Sequence, residues 1–289
     1  MSTKTKEHRE HQGRGSMPAA AGTEATKMAR TEKAQVCGVG ESHRGKARAK
    51  NQDVILLEPE LGLYAVFDGM GGARAGEVAA QLARETLHRF VAKHLASRTY
   101  TPRKLLEASI DAAATVVFTA ANEREERQGM GTTVVACLVV DPTRIVLGYA
   151  GDSRAYLLRD GRLRLLTHDH TVIQRLLDAG SLTVEQAAES PYRSLLTRNL
   201  GMEKGVEPDM LEQAVDPGDR LLLCSDGLHE RTSVEDLQRV LTSKAKPEEV
   251  VHNLIELALS GEGTDDISAV VLDVPVGVPA ARARARATE

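Results

Sequence analysis

The stretch LYAVFDGMGGARAGE, residues 63–77, decides how this chain is read. Leu63–Phe67 is an unbroken apolar run of strand length, and Asp68 stands where that strand leaves its sheet. A carboxylate in such a place is costly unless something pairs with it. Gly69, Gly71 and Gly72 beside it imply backbone passing close to a ligand or to another segment. Two chemistries meet that description: a glycine loop cradling a nucleotide, and an aspartate held for a metal.

The pattern recurs along the chain. RLLLCSDG, residues 220–227, again delivers a strand onto Asp226–Gly227, and YAGDSR, residues 149–154, places Asp152 just after another. GEGTDDISAVVLDV, residues 261–274, sets Asp265 and Asp266 before a strand, and RAKNQDVILL, residues 48–57, sets Asp53 at the mouth of one more. A single aspartate in such a position is ordinarily a turn residue. Five strand ends with an acid are different, because carboxylates that converge must be relieved by a cation or by protons. Oxygen-only ligation favours magnesium or manganese over zinc.

Strand-like runs fall at 54–57, 63–67, 132–140, 144–149, 155–158, 163–166, 220–224 and 268–274. Several are joined by turns of minimal length. DPTR at 141–144 carries proline second, and RDGR at 159–162 carries Asp-Gly. Links this short demand antiparallel neighbours and exclude a run of βαβ units. Helical periodicity marks 76–96, with Val78, Leu82, Leu87, Phe90, Val91 and Leu95 close to one face. A second helix opens with Thr101 as cap and Pro102 in its first turn, and a third starts on Pro247 and stops at Gly261. The expected fold is α+β: an antiparallel β-sandwich with helices on both outer faces. Residues 169–200, broken by Gly180 and Pro191, read as a small flap laid over the main body.

The hairpins also dispose of the nucleotide reading. VFDGMGG superficially matches the acid–glycine loop of an S-adenosylmethionine-dependent methyltransferase, but that fold needs a parallel sheet and leaves Asp226–Gly227 unexplained. No Gly-Lys-Ser/Thr follows the glycines, so a Walker loop is absent.

Composition narrows the setting. With 289 residues and 42% hydrophobic content the chain can bury an ordinary core, while 3% aromatics and no tryptophan argue against stacking on nucleic-acid bases. The net charge of −4 conceals basic ends: residues 1–34 carry +3 and residues 275–289 carry +2, leaving the body at −9. An acidic body suits a cation site and not nucleic acid. Both ends read as disordered tails around a domain at 35–274. Cys37, Cys137 and Cys224 are far apart and odd in number, which argues for buried thiols in a reducing compartment. No apolar run has the roughly 20 residues of a membrane span, and the first residues lack a signal peptide's apolar stretch, so a soluble cytoplasmic protein is expected.

At this point the residues carry a resemblance. RAKNQD, VFDGMGG, GMGTTVV, GDSRAYLLRDG, LTHDHT, LLLCSDG and GTDDIS occur in the order seen in metal-dependent Ser/Thr protein phosphatases of the type 2C family, bacterial branch. The match covers roughly residues 36–274, and seven motifs in order are far more specific than any one. The resemblance implies a helix-flanked β-sandwich with two manganese or magnesium ions in a channel at one end. By motif, Asp68 resembles the carboxylate that bridges two ions, with the Gly69 carbonyl on one of them. Asp226 and Asp265 resemble further direct ligands, Asp53 the acid that orders water, and Asp152 the ligand of a third, weaker ion. Arg48 resembles the arginine that grips substrate phosphate, a task suited to its two-pronged guanidinium.

The implied activity is hydrolysis of phosphoserine and phosphothreonine in proteins by a hydroxide bridging the ions, opposing Ser/Thr kinase signalling. Implied partners are phosphoproteins, Ser/Thr kinases and their targets, with no nucleic acid, no membrane and a monomeric chain. The alternative is a catalytically weak member that binds phosphoproteins; a calcium-stabilised module lacks the closely spaced oxygen ligands it would need. Three positions depart from the family pattern. Met70 stands where animal members have a candidate acid histidine, so no general acid is assigned, and Ala73 stands where bacterial members often have histidine. Asp266 replaces a usual asparagine; it either brings negative charge toward the incoming phosphate, so that Asp266→Asn improves kcat/KM, or points to solvent. His168 and His170, an H-x-H pair, read as loop residues flanking the flap.

Overall fold

The computed structural model describes residues 27–30, 36–97, 99–261 and 264–276. Its strands are β1 (Lys27–Arg30), β2 (Cys37–His43), β3 (Val54–Glu58), β4 (Leu63–Phe67), β5 (Gly69–Met70), β6 (Gly131–Thr132), β7 (Val134–Asp141), β8 (Arg144–Ala150), β9 (Arg154–Arg159), β10 (Arg162–Leu165), β11 (Asp209–Ala214), β12 (Arg220–Cys224) and β13 (Ile267–Asp273). Its helices are α1 (Gly72–His94), α2 (Pro102–Glu123), α3 (Val172–Asp178), α4 (Val184–Ala188), α5 (Asp226–His229), α6 (Val234–Leu241) and α7 (Pro247–Ser260).

Two antiparallel sheets stack face to face, one ordered β1-β2-β13-β12-β9-β10 and the other β11-β8-β7-β4-β3. The central strands are apolar throughout because both of their faces are covered. In β4, Leu63, Ala65 and Phe67 face α1 and α2, where Leu87, Leu106 and Ile110 meet them. The alternate residues Tyr64 and Val66 face the other sheet and meet Leu157, Leu223 and Val270. On the far side, Leu222, Cys224 and Val271 of β12 and β13 pack under Val251, Leu254 and Ile255 of α7. Three apolar layers thus separate four layers of secondary structure, the helix–sheet–sheet–helix sandwich expected from the sequence.

The turns behave as their sequences require. Asp160 and Gly161 both have positive φ and close the β9–β10 hairpin, while Asp141 and Arg144 pair at the β7–β8 turn. Thr101 Oγ1 accepts from Lys104 N at 3.3 Å to cap α2. α1 begins four residues earlier than its apolar period suggests, and Leu95, expected on its buried face, is exposed in the turn that follows.

Three strands of the two stacked sheets were not legible. β2 (CGVGESH) is glycine-rich, and β11 (DMLEQA) is a largely polar edge. β1 corrects the expected tail: Lys27–Arg30 pairs with β2 as an edge strand instead of standing free. The backbone pairing offered by β2 is available to any extended segment, whatever its polarity. The expected disorder of 1–26, 31–34 and 277–289 lies outside the described residues. The flap segment holds α3 and α4 and is tied down by two isolated bridges, Thr171 with Leu196 and Thr132 with Leu200.

Candidate metal centre

Strand register brings the acids together. Val54 pairs with Phe67, so Asp53 and Asp68 leave β3 and β4 at the same end. Cys224 pairs with Ala269, which puts Asp226 and Asp265 at one end of β12 and β13. Val134 pairs with Ala150, and Thr133 N donates to Asp68 O at 2.9 Å, so the β8 turn carrying Asp152 joins them. A cavity of about 500 Å³ opens there, lined by Arg48, Asp68, Gly69, Asp152, Asp226 and Asp265, with Ser194 and Leu196 of the flap at its rim. A larger cavity of about 870 Å³ lies at the opposite end of β9 and β12, where its arginines, Arg159 and Arg220, are already paired with Asp219 and Asp273.

The electrostatics of the smaller cavity are those of crowded, desolvated carboxylates. Burial, then the negative charge of Asp226, Asp53 and Asp152, pushes Asp68 well above the carboxylate range. Burial is also the main cause that raises Asp53 and Asp152 to about 8, Asp226 adding to both. Asp226 rises to about 6, from burial and then from Asp265. The charge of Asp226 favours a proton on Asp68, as expected when carboxylates crowd one buried site. Asp53 is buried and does not line the cavity; its Oδ2 accepts from Ser225 Oγ at 2.7 Å.

The backbone at Asp68 is held by residues that carried no role in the sequence. Asp68 N donates to Thr133 Oγ1 at 3.1 Å, and Thr132 Oγ1 donates to Asp68 O at 2.9 Å. Thr133 Oγ1 is fixed in turn by Ser153 Oγ at 2.6 Å. Only the repeated threonines of GMGTTVV hinted at this. Gly69 answers the question raised by its sequence: a Cβ there would sit 2.3 Å from Gly76 O and 2.6 Å from Gln52 O. The backbone therefore passes tightly between α1 and the β3 approach, and glycine is required by close packing.

Arg48 lies at the cavity rim with its guanidinium on Asp265, Nη2 to Oδ2 at 2.6 Å. That contact is the main reason its pKa is raised. Asp266 departs from both expectations held for it. It faces neither the phosphate approach nor solvent: it is 3% exposed, and its two oxygens accept from Gly45 N at 2.9 Å and Gln52 N at 2.8 Å. Burial raises its pKa while the two amides hold it down. Backbone amides outcompete solvent for a carboxylate enclosed at the start of a strand.

His168 and His170 are loop residues, as read. His168 Nε2 meets Asp178 Oδ2 at 2.7 Å, and His170 Nδ1 accepts from Gly151 N at 3.1 Å while its ring stacks on Tyr149. His229, which the sequence did not single out, lies with Nε2 3.0 Å from the backbone carbonyl of Asp152. Burial holds it down at about 4, so it is neutral and donates.

The residues fit a cation. Among the described residues, Asp53 Oδ1 and Asp226 Oδ1 are buried without a hydrogen-bond partner, and the carboxylates hold protons that a positive charge would displace. No three His, Cys, Asp or Glu side chains among the described residues form a finished metal cage. Magnesium-like ions keep several waters and take only one or two carboxylates each.

Comparison with known proteins agrees with this picture. The family model described as Protein phosphatase 2C matches residues 39–257. Serine/threonine protein phosphatase PstP of Mycobacterium tuberculosis is 40% identical over 235 residues, which are 81% of this chain and 44% of that protein. The chain thus spans less than half of PstP's length. Serine/threonine phosphatase stp of Listeria innocua is 33% identical over 241 residues, covering 80% of this chain and 92% of the other. The crystal structure of the PstP catalytic domain in complex with two manganese ions superposes with a TM-score of 0.73 at 38% identity, covering 82% of this chain and 97% of that one. Motifs, sandwich, converging acids and these matches agree: the chain belongs to the protein phosphatase 2C family.

Proposed function

We propose that this chain is a metal-dependent phosphatase acting on phosphoserine and phosphothreonine in proteins. The observation that carries the reading is the convergence of Asp68, Asp152, Asp226 and Asp265 on one cavity with Arg48 at its rim. Asp68, the Gly69 carbonyl, Asp226 and Asp265 would hold two ions between them. Asp152 is assigned to a third, weaker ion. When bound, manganese or magnesium would neutralise phosphoryl charge and acidify the attacking water.

The chain's own residues do the rest. Arg48 exchanges Asp265 for two phosphoryl oxygens and orients the ester. Asp53, anchored by Ser225, orders the attacking water; no side chain is assigned the protonation of the leaving alkoxide. Thr132 and Thr133 hold the Asp68 backbone so that its carboxylate does not have to reorganise during turnover. Action as a monomer is part of this reading. Substrates would be proteins phosphorylated by Ser/Thr kinases, and a cytoplasmic setting rests on the cysteine usage.

No described helix is long and apolar enough to cross a membrane. The test is hydrolysis of p-nitrophenyl phosphate and of a phosphothreonine peptide after chelation, then with added manganese. Turnover is expected only with the ion. Full turnover in chelated protein would remove the metal assignment, and no turnover with manganese would favour a phosphoprotein binder.

A further inference from the structure

We propose that Asp266 is a positioning residue for Arg48: its two carboxylate oxygens clamp both ends of the loop that presents the guanidinium to substrate phosphate. The inference rests on the assignment of Arg48 to phosphate. Residues 44–53 leave β2, carry Arg48 near their middle and enter β3. Oδ1 of Asp266 accepts from Gly45 N on the way out, and Oδ2 accepts from Gln52 N on the way back.

The rest of the loop is built around those two bonds. Gly45 packs so tightly that a Cβ would lie 2.2 Å from Asp265 O. Arg48 N donates to Gly45 O at 3.1 Å, so the clamped residue and the arginine share one turn. Ala47 N reaches Thr264 O at 3.3 Å and Lys46 Nζ reaches Leu259 O at 2.7 Å. Asp266 itself is fixed from behind: its N–H donates to Asp265 Oδ1 at 2.7 Å, and Gly227 packs on its carbonyl. One residue therefore ties the Arg48 loop to Asp265 and to the Asp226–Gly227 turn.

Asparagine cannot do the same. It offers one acceptor and one NH2, and each of the two facing groups here is a backbone N–H. Whichever way the amide turned, a donor would face a donor in a buried place. The aspartate that departs from the family pattern thus supplies a second acceptor.

Asp266→Asn, nearly identical in size, is the variant to make, alone and in an Arg48→Ala background. Kinetics on a phosphothreonine peptide with manganese are paired with amide hydrogen exchange on the same proteins. Alone, Asp266→Asn should raise KM about 10-fold, the equivalent of ~1.4 kcal/mol for one buried hydrogen bond, with kcat changed less than about twofold. Protection should fall at Gly45 or Gln52 with the rest of the sandwich unchanged. In the Arg48→Ala background it should raise KM no further. An undiminished effect there, or an unchanged KM in the single variant, overturns the positioning role while leaving Arg48 in the site. An unchanged KM in Arg48→Ala alone overturns the assignment of Arg48 and the inference with it. A general loss of protection or a collapse of kcat would show that Asp266 merely supports the fold.

Discussion

In chelated buffer the folded chain should lose stability as the pH rises through neutrality, and manganese should abolish that loss. Asp53 and Asp152 are held at about 8, whereas an unfolded chain releases such protons near pH ~3.9. Between those values the folded state holds more protons than the unfolded one, so each unit of pH favours unfolding. The contribution is fully present below the unfolded value and gone above the folded one. Each group gives a slope of ~1.4 kcal/mol per unit, so the two together cost ~2.7 kcal/mol between about pH 6 and about pH 7. Asp226, at about 6, contributes mostly below that window, and Asp68 adds in the same direction. For a domain of this size the loss corresponds to a fall in melting temperature of ~5–10 °C per unit. Thermal melts followed by circular dichroism across this range, with chelator and then with manganese, measure it directly. Asp53→Asn should flatten the slope by about one group's share. A melting temperature that stays level or rises with pH in the chelated protein would refute the electrostatic account of the site.

Two further outcomes follow from the geometry. Asp226→Asn should lower kcat in manganese by more than the ~10–100-fold that loss of an outer hydrogen-bond partner costs, with an unchanged circular dichroism spectrum; near-normal turnover would remove Asp226 from the ion site. Gly69→Ala places a methyl 2.3 Å from Gly76 O, so it should cost roughly 1–3 kcal/mol in urea unfolding and lower activity, because Asp68 must shift with it.

What the sequence revealed depended on whether the governing contact was local. The Asp160–Gly161 hairpin, the Thr101 cap and the acids at strand ends are all properties of a few consecutive residues; the hairpin and the cap form as read, and Asp68, Asp152, Asp226 and Asp265 line one cavity. β11 was hidden because an edge strand has one partner and little to bury, so nothing forces its side chains into an apolar alternation. The glycine-rich β2 lies beneath neighbours that fill its space, as Tyr64 does at Gly38. Asp266 is the clearest failure. Its partners, Gly45 and Gln52, lie more than 200 residues away and offer only backbone, which has no signature in an amino-acid string. Asp53 was legible as an acid near the site, yet its reliance on Ser225 was not, for the same reason.

The flap has a consequence for how this chain can diversify. Its two helices bury only Ile173 and Ala187, and neither belongs to the three apolar layers that hold the sandwich together. Ser194 and Leu196 nevertheless reach the cavity rim, and Tyr192 and Leu195 beside them are exposed. Substitutions there draw on almost none of the free energy that keeps the domain folded. The rim of the cavity can therefore drift quickly under selection while the acids and the sheets beneath them stay fixed, so the mouth of the site and its floor are free to change at different tempos.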